Sequence, residues 1–225
     1  FAGIFAPIFS EHYFKKNTDG MKESYQSSSK YILAFSLPVF IFLFIFSKPM
    51  LFVFGVEFQN YFALKVLLLG IFIQTIFGLG SSTLTMSGYT KYNLLNVSIA
   101  LVLNIISNSI LIPLYGLTGA AVATSFALIV LSTLRYFENL ILINLNLFSS
   151  KLIKPIISGV ITFIIIQYLS LLFSDYFELS NVLTLLIYLL IHLFLVISSY
   201  FTIYYLLGFD KEDIILIDSL KSKLI

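Results

Sequence analysis

Six stretches of about twenty mostly apolar residues, set apart by short polar punctuation, leave this chain little choice of solvent. A hydrocarbon core about 30 Å thick is crossed by about 20 residues of helix at 1.5 Å rise each. The stretches run from Tyr31 to Phe54, Phe62 to Met86, Leu94 to Leu114, Leu117 to Phe137, Pro155 to Phe173 and Val182 to Leu207. Barrel strands would alternate apolar and polar residues over about ten positions, and these runs do not. The sequence therefore predicts an all-α, polytopic transmembrane helix bundle with about six spanning helices. Pro38, then Lys48 and Pro49, interrupt the first stretch, so a kink or an early end is expected there.

Composition excludes the main alternatives. Charged residues make up 11% of the chain and hydrophobic residues 59%, at a mean hydropathy of +1.01, whereas soluble domains carry about 25% charged residues. A net charge of +2 supplies no general field for nucleic acid. The absence of cysteine removes disulfides, thiolate metal sites and cysteine nucleophiles. No motif calls for a cofactor or a metal. The cations are unevenly placed: Lys15, Lys16, Lys22 and Lys30 precede the first stretch, Lys91 follows the second, Arg135, Lys151 and Lys154 follow the fourth, and Lys211, Lys221 and Lys223 end the chain. Lys48 is the only cation of the alternate connections, and the last of them carries Asp175 and Glu178. Because cytoplasmic loops collect Lys and Arg, the expectation is a multi-pass protein of the cytoplasmic membrane with a cytoplasmic C-terminus.

Outside the spans the sequence is less directive. Phe1 to Phe9 is too short to span and reads as the end of a preceding helix; Ser10 to Lys30, with Ser24, Ser27, Ser28 and Ser29, reads as a polar connector with room for a short surface helix. The tail, 208–225, mixes acids with Ile214, Ile215, Ile217 and Leu220 in a pattern that suits an amphipathic surface helix.

Asn96, Ala100, Asn104 and Asn108 recur at intervals of four and form one stripe along the third span. An amide is costly in hydrocarbon, so the stripe must face protein or a hydrated cavity. Two readings stay open: hydrogen bonds between helices, or the lining of a hydrophilic path. Beyond Pro113, small residues recur at Gly116, Ala120 and Thr124 and at Gly119, Ala123 and Ala127, rows that let helix backbones approach closely.

The run Asn104, Asn108, Leu111, Ile112, Pro113, Tyr115, Gly116, Gly119, Ala120, Ala121, Ala123 and Thr124 resembles a signature of polysaccharide flippases in the multidrug/oligosaccharidyl-lipid/polysaccharide exporter superfamily. Phe5, Pro7 and Phe9, Ser36-Leu37-Pro38, Ser47, Pro49, Phe54 and Gly55, and Ser87-Gly88-Tyr89-Thr90-Lys91 fit the same pattern. The resemblance implies two six-helix lobes around a central cavity, with two appended helices. Residues 31–143 would be four helices of the C-terminal lobe, 144–207 the appended pair, and 1–30 the end of an earlier helix and a cytoplasmic loop. An N-terminal lobe would be the missing partner. Such proteins move polyprenyl-diphosphate-linked oligosaccharide across the bilayer without making a bond.

A diphosphate-sugar head group calls for cations, amides and hydroxyls. The candidates for its path are Lys65, Gln74, Asn96, Asn104 and Asn108, with Thr75 beside Gln74. Each has a plainer reading: Lys65 snorkels to the interface, and the amides tie helices together. His192, near the middle of the last span, suits ion coupling or a structural hydrogen bond. Arg135 and Glu138 stand close enough along a helix to pair. Two rival functions are a cation-coupled multidrug exporter, which usually needs a membrane-buried carboxylate, and a polyprenyl-dependent glycosyltransferase, which needs acidic residues with a metal or a general base, whereas Asp175 and Glu178 share a short loop with no His nearby in sequence.

Overall fold

The computed structural model describes residues 2–55, 60–172, 182–208, 210 and 213. Within them the chain forms eight α-helices and a short 3-10 turn: α1 Ala2–Phe14, α2 Thr18–Ile45, α3 Ser47–Phe52, α4 Tyr61–Ile76, α5 Gly80–Met86, α6 Thr90–Leu142, the turn Ser150–Leu152, α7 Ile153–Leu172 and α8 Val182–Leu206. Five helical segments are long and apolar enough to cross a membrane, α4 and α5 counting as one. The 53-residue α6 is folded in two. At Gly116 the backbone takes φ 57° and ψ −131°, and Arg135 Nε donates to Asn93 Oδ1 at 3.0 Å. Those two residues would stand about 63 Å apart on a straight helix. Residues 90–115 and 117–142 are thus two antiparallel arms, matching the third and fourth apolar stretches, and with α6 taken as two arms the all-α bundle has six segments of crossing length.

Two expectations are corrected. Residues 18–30, read as a polar connector, are the first turns of α2. Asn17 Oδ1 accepts from Gly20 N at 3.0 Å and caps the helix, while Ser24 and Ser29 hydroxyls donate to carbonyls of their own helix. Polarity ends the membrane crossing there without ending the helix. The stretch 62–86 is likewise not one helix: Gly78 N and Gly80 N bond back to Thr75 O and Phe77 O, and the chain breaks stride between α4 and α5. The first span passes through Pro38 and ends at Ile45, the early end anticipated from Lys48 and Pro49. The connection with Asp175 and Glu178 and the amphipathic pattern of the tail lie outside the described residues.

α2 is the hub, packed against α1, α4, α7 and α8, while α6 packs on α4 and α5. Phe5 and Phe9 of α1, Tyr25 and Ile41 of α2, Phe46 between α2 and α3, and Tyr200 of α8 are among the fully buried side chains of the core around α2. Cross-links also define the two ends of the bundle. Tyr13 OH donates to Ser87 O, Gln26 Nε2 to Asn146 O and Lys30 Nζ to Asp210 Oδ2. These bonds gather at one end the α1–α2 turn, the α5–α6 turn, the start of α7 and the segment after α8, all places where cations accumulate. At the other end Asn60 Nδ2 donates to Thr118 Oγ1 at 2.9 Å.

Candidate functional site

The polar stripe of α6 lies inside its own hairpin. Asn96 is 1% exposed, and its Nδ2 donates to Glu138 Oε2 on the opposite arm. Nearer the fold, Asn104 Nδ2 reaches Thr124 Oγ1 at 3.5 Å, and Asn108 Nδ2 donates to Asn104 Oδ1 at 2.9 Å. Arg135 and Asn93 complete a ladder of polar rungs across the arms. Asn96 and Asn104 therefore meet partners on the opposite arm, and Asn108 meets one on its own arm. Asn104, Asn108 and Thr124 are half-buried, so this group also keeps accessible surface. Asn96 is enclosed, and its Oδ1 has no hydrogen-bond partner.

The small residues let the arms close. A Cβ on Gly119 would stand 2.0 Å from Leu111 O, so only glycine permits the arms to meet this near the turn. Gly116 has open space around it but positive φ. Ala123 is fully buried. Ala120 and Thr124 line a cavity of about 340 Å3 with Asn60, Ala63, Leu64 and Leu67. A Cβ on Gly70 would meet Ser125 at 2.6 Å, and Ser125 Oγ donates to Val66 O at 2.9 Å, so α4 and α6 touch backbone to backbone.

The remaining candidates stand elsewhere. Lys65 is half-buried on α4, its Nζ 5.2 Å from the Phe44 ring centre and 5.8 Å from that of Tyr61. Gln74 is half-buried on the same helix, nine residues or about 13 Å further along; Thr75 Oγ1 bonds to Ile71 O. His192 is 7% exposed on α8, with Nδ1 2.8 Å from Tyr188 O and its ring between those of Phe46 and Tyr188, at 4.8 and 4.0 Å. Of the candidate residues, hydrogen bonds join Asn104 and Asn108 on α6. Among the described residues no group of three His, Asp or Glu side chains comes together as metal ligands would.

Sequence reasoning missed one member of the polar framework. Asn139 is fully buried; its Nδ2 donates to Gly80 O at 3.0 Å and Arg135 O at 2.7 Å, and its Oδ1 accepts from Thr83 Oγ1. It fastens the α4–α5 break to α6. The signal available was the pair Gly78 and Gly80 inside an otherwise continuous apolar run. Arg135 and Glu138, close enough along the helix to pair, hydrogen-bond across the hairpin to Asn93 and Asn96. A second, mostly apolar cavity of about 570 Å3 lies between α2, α4 and α7, lined by Leu37, Phe40, Phe72, Ile156 and Phe163 among others.

These features define a polytopic helical membrane protein whose polar groups are clasped between spans. Residues 5–110 match the family model MatE. The fold is similar to that of the lipid II flippase MurJ in an inward closed conformation, with a TM-score of 0.65 and 22% identity, covering 91% of this chain and 44% of that one. The chain therefore spans less than half the length of that solved structure. No curated protein matches the chain in sequence.

Proposed function

We propose that this chain is part of an exporter that flips polyprenyl-diphosphate-linked oligosaccharide across the cytoplasmic membrane, with no bond-making step. The observation that carries the proposal is the coincidence of a MatE match over residues 5–110 with a flippase-like fold over 91% of the chain. In this reading 31–143 belong to a transport lobe, 144–207 are an appended pair, and a further lobe closes the substrate path. Asn104, Asn108 and Thr124 offer amide and hydroxyl groups that retain accessible surface, the donors and acceptors that sugar hydroxyls require. Lys65 already faces two aromatic rings, which favours an interfacial anchor over a phosphate contact. His192 is enclosed by rings and bonded to its own helix, which favours a structural role.

The test is flipping of a fluorescent lipid-linked oligosaccharide by the complete protein in proteoliposomes. Expected is transport above that of empty vesicles, reduced about tenfold or more by the pair N104L and N108L with the protein still monodisperse. No transport above empty vesicles overturns the flippase reading. Transport unaffected by the pair removes those amides from the path and leaves them as helix ties.

A further inference from the structure

The segment after α8 carries two carboxylates that close on two lysines from other helices. Lys30, on α2, has no exposed side-chain surface; its Nζ donates to Asp213 Oδ1 at 2.7 Å and Asp210 Oδ2 at 2.8 Å. Lys154, in the first turn of α7, donates to Asp210 Oδ1 at 2.6 Å and Gly208 O at 2.9 Å. The fourth carboxylate oxygen, Asp213 Oδ2, accepts from Asp210 N at 3.0 Å. Two positive and two negative charges thus pair, with Lys30 and Asp213 enclosed and Lys154 and Asp210 at the rim, 26% and 37% exposed, and backbone groups take up the remaining bonds.

Away from this end, the pair α7–α8 meets α2 through apolar and ring contacts, such as Phe35 with Phe201 at 5.9 Å and Phe46 with His192 at 4.8 Å. In a bilayer, lipid tails replace such contacts at little cost, because there is no hydrophobic force between spans. The packing is also incomplete, since the apolar cavity of about 570 Å3 separates parts of α7 from α2 and α4. Breaking one partner from the cluster, by contrast, strands a buried charge.

We propose that Lys30, Lys154, Asp210 and Asp213 form an ionic latch that keeps the α7–α8 pair docked on α2, and that opening the latch releases the pair as a unit. The latch stands on these bonds and does not depend on what the protein transports. It gives the fold a device by which contacts at one membrane surface set the position of two whole spans.

Leu37 and Gly159 report docking. A Cβ on Gly159 would lie 3.6 Å from Leu37 Cγ, so cysteines at 37 and 159 fall within disulfide reach only while α7 sits on α2. The chain has no cysteine of its own. The experiment measures the rate of oxidative cross-linking of L37C/G159C in bilayers, with helix content followed by circular dichroism. Expected is a fall of about tenfold with Lys30→Gln, about 1.4 kcal/mol of docking, a similar fall with Asp213→Asn, and no further fall when both are combined. Asp210→Asn, which leaves Asp213 on Lys30, should slow the rate less. An unchanged rate in Lys30→Gln overturns the latch, because packing alone then holds the pair. Additive losses in the double variant overturn the pairing. A loss of helix content in step with cross-linking makes the cluster a folding requirement and overturns the latch as well.

Discussion

At the turn of α6, Gly116 adopts φ 57° and ψ −131°, near the first central position of a type II′ turn, a conformation that L side chains rarely take. Three residues on, Gly119 has no room for a Cβ because Leu111 O would be 2.0 Å away. The two glycines therefore fail differently when replaced. Gly116→Ala pays backbone strain alone, about 1–3 kcal/mol, whereas Gly119→Ala must push the arms apart and lengthen the polar rungs beyond it. Thermal unfolding in detergent should place Gly119→Ala below Gly116→Ala, and the reverse order would contradict the hairpin contact. Asp210 carries a pH dependence. Burial alone would raise its pKa from 3.8, but hydrogen bonds from Lys154 and then Lys30 hold it below that value. Its stabilising contribution is thus complete above 3.8 and is lost as the pH falls through the lowered value. A melting-temperature series from about pH 6 to about pH 3 should fall less steeply in Asp210→Asn than in the parent. His192 is expected to tolerate phenylalanine, which keeps its place between Phe46 and Tyr188. Transport by the complete protein should change less than about twofold, and a loss of tenfold or more would restore the case for ion coupling.

For whole elements, hydropathy reveals where lipid begins and ends, and helices do not stop at that boundary. α2 shows the distinction: its apolar part was legible as a span, but its first turns, with Asp19, Lys22 and Glu23, look like a loop to any hydropathy argument. What marks the start is the Asn17 cap bonded to Gly20 N, a signal carried by one side chain. Asn17→Ala should cost about 1 kcal/mol and speed amide exchange in the first turns of α2 while leaving the lipid-crossing part unaffected. Equal exchange throughout would mean the cap contributes nothing. The α6 stripe was legible as a stripe, because intervals of four place Asn96, Asn104 and Asn108 on one face. Which surface that face meets was not, since the partner residues, Glu138 and Thr124, are distant in sequence and reach it only through the turn at Gly116. The α4–α5 break was missed because Gly78 and Gly80 in an apolar run fit either a helix or an interruption. The deciding group, Asn139, lies in a different span.

For the molecule as a whole, two independent lines converge on one topology. The sequence puts eleven of thirteen cations into alternate connections, and the structure brings those connections to one end through Tyr13 with Ser87, Gln26 with Asn146 and Lys30 with Asp210. The turn at 115–118 lies at the other end, bonded to Asn60 through Thr118. If cations mark the cytoplasmic side, Lys16 and Lys91 face the cytoplasm while Tyr115, which is exposed at the hairpin turn, faces out. The absence of native cysteine makes this directly measurable. Single cysteines replacing Lys16, Lys91 or Tyr115 in intact cells should react with a membrane-impermeant maleimide only at position 115, and at all three once the membrane is permeabilised. Labelling at 16 and 91 with protection at 115 would invert the protein and place the ion latch on the outer surface. Labelling of all three in sealed cells would mean that the arms of α6 do not both cross the membrane, and the six-crossing reading of the hairpin would fall with it.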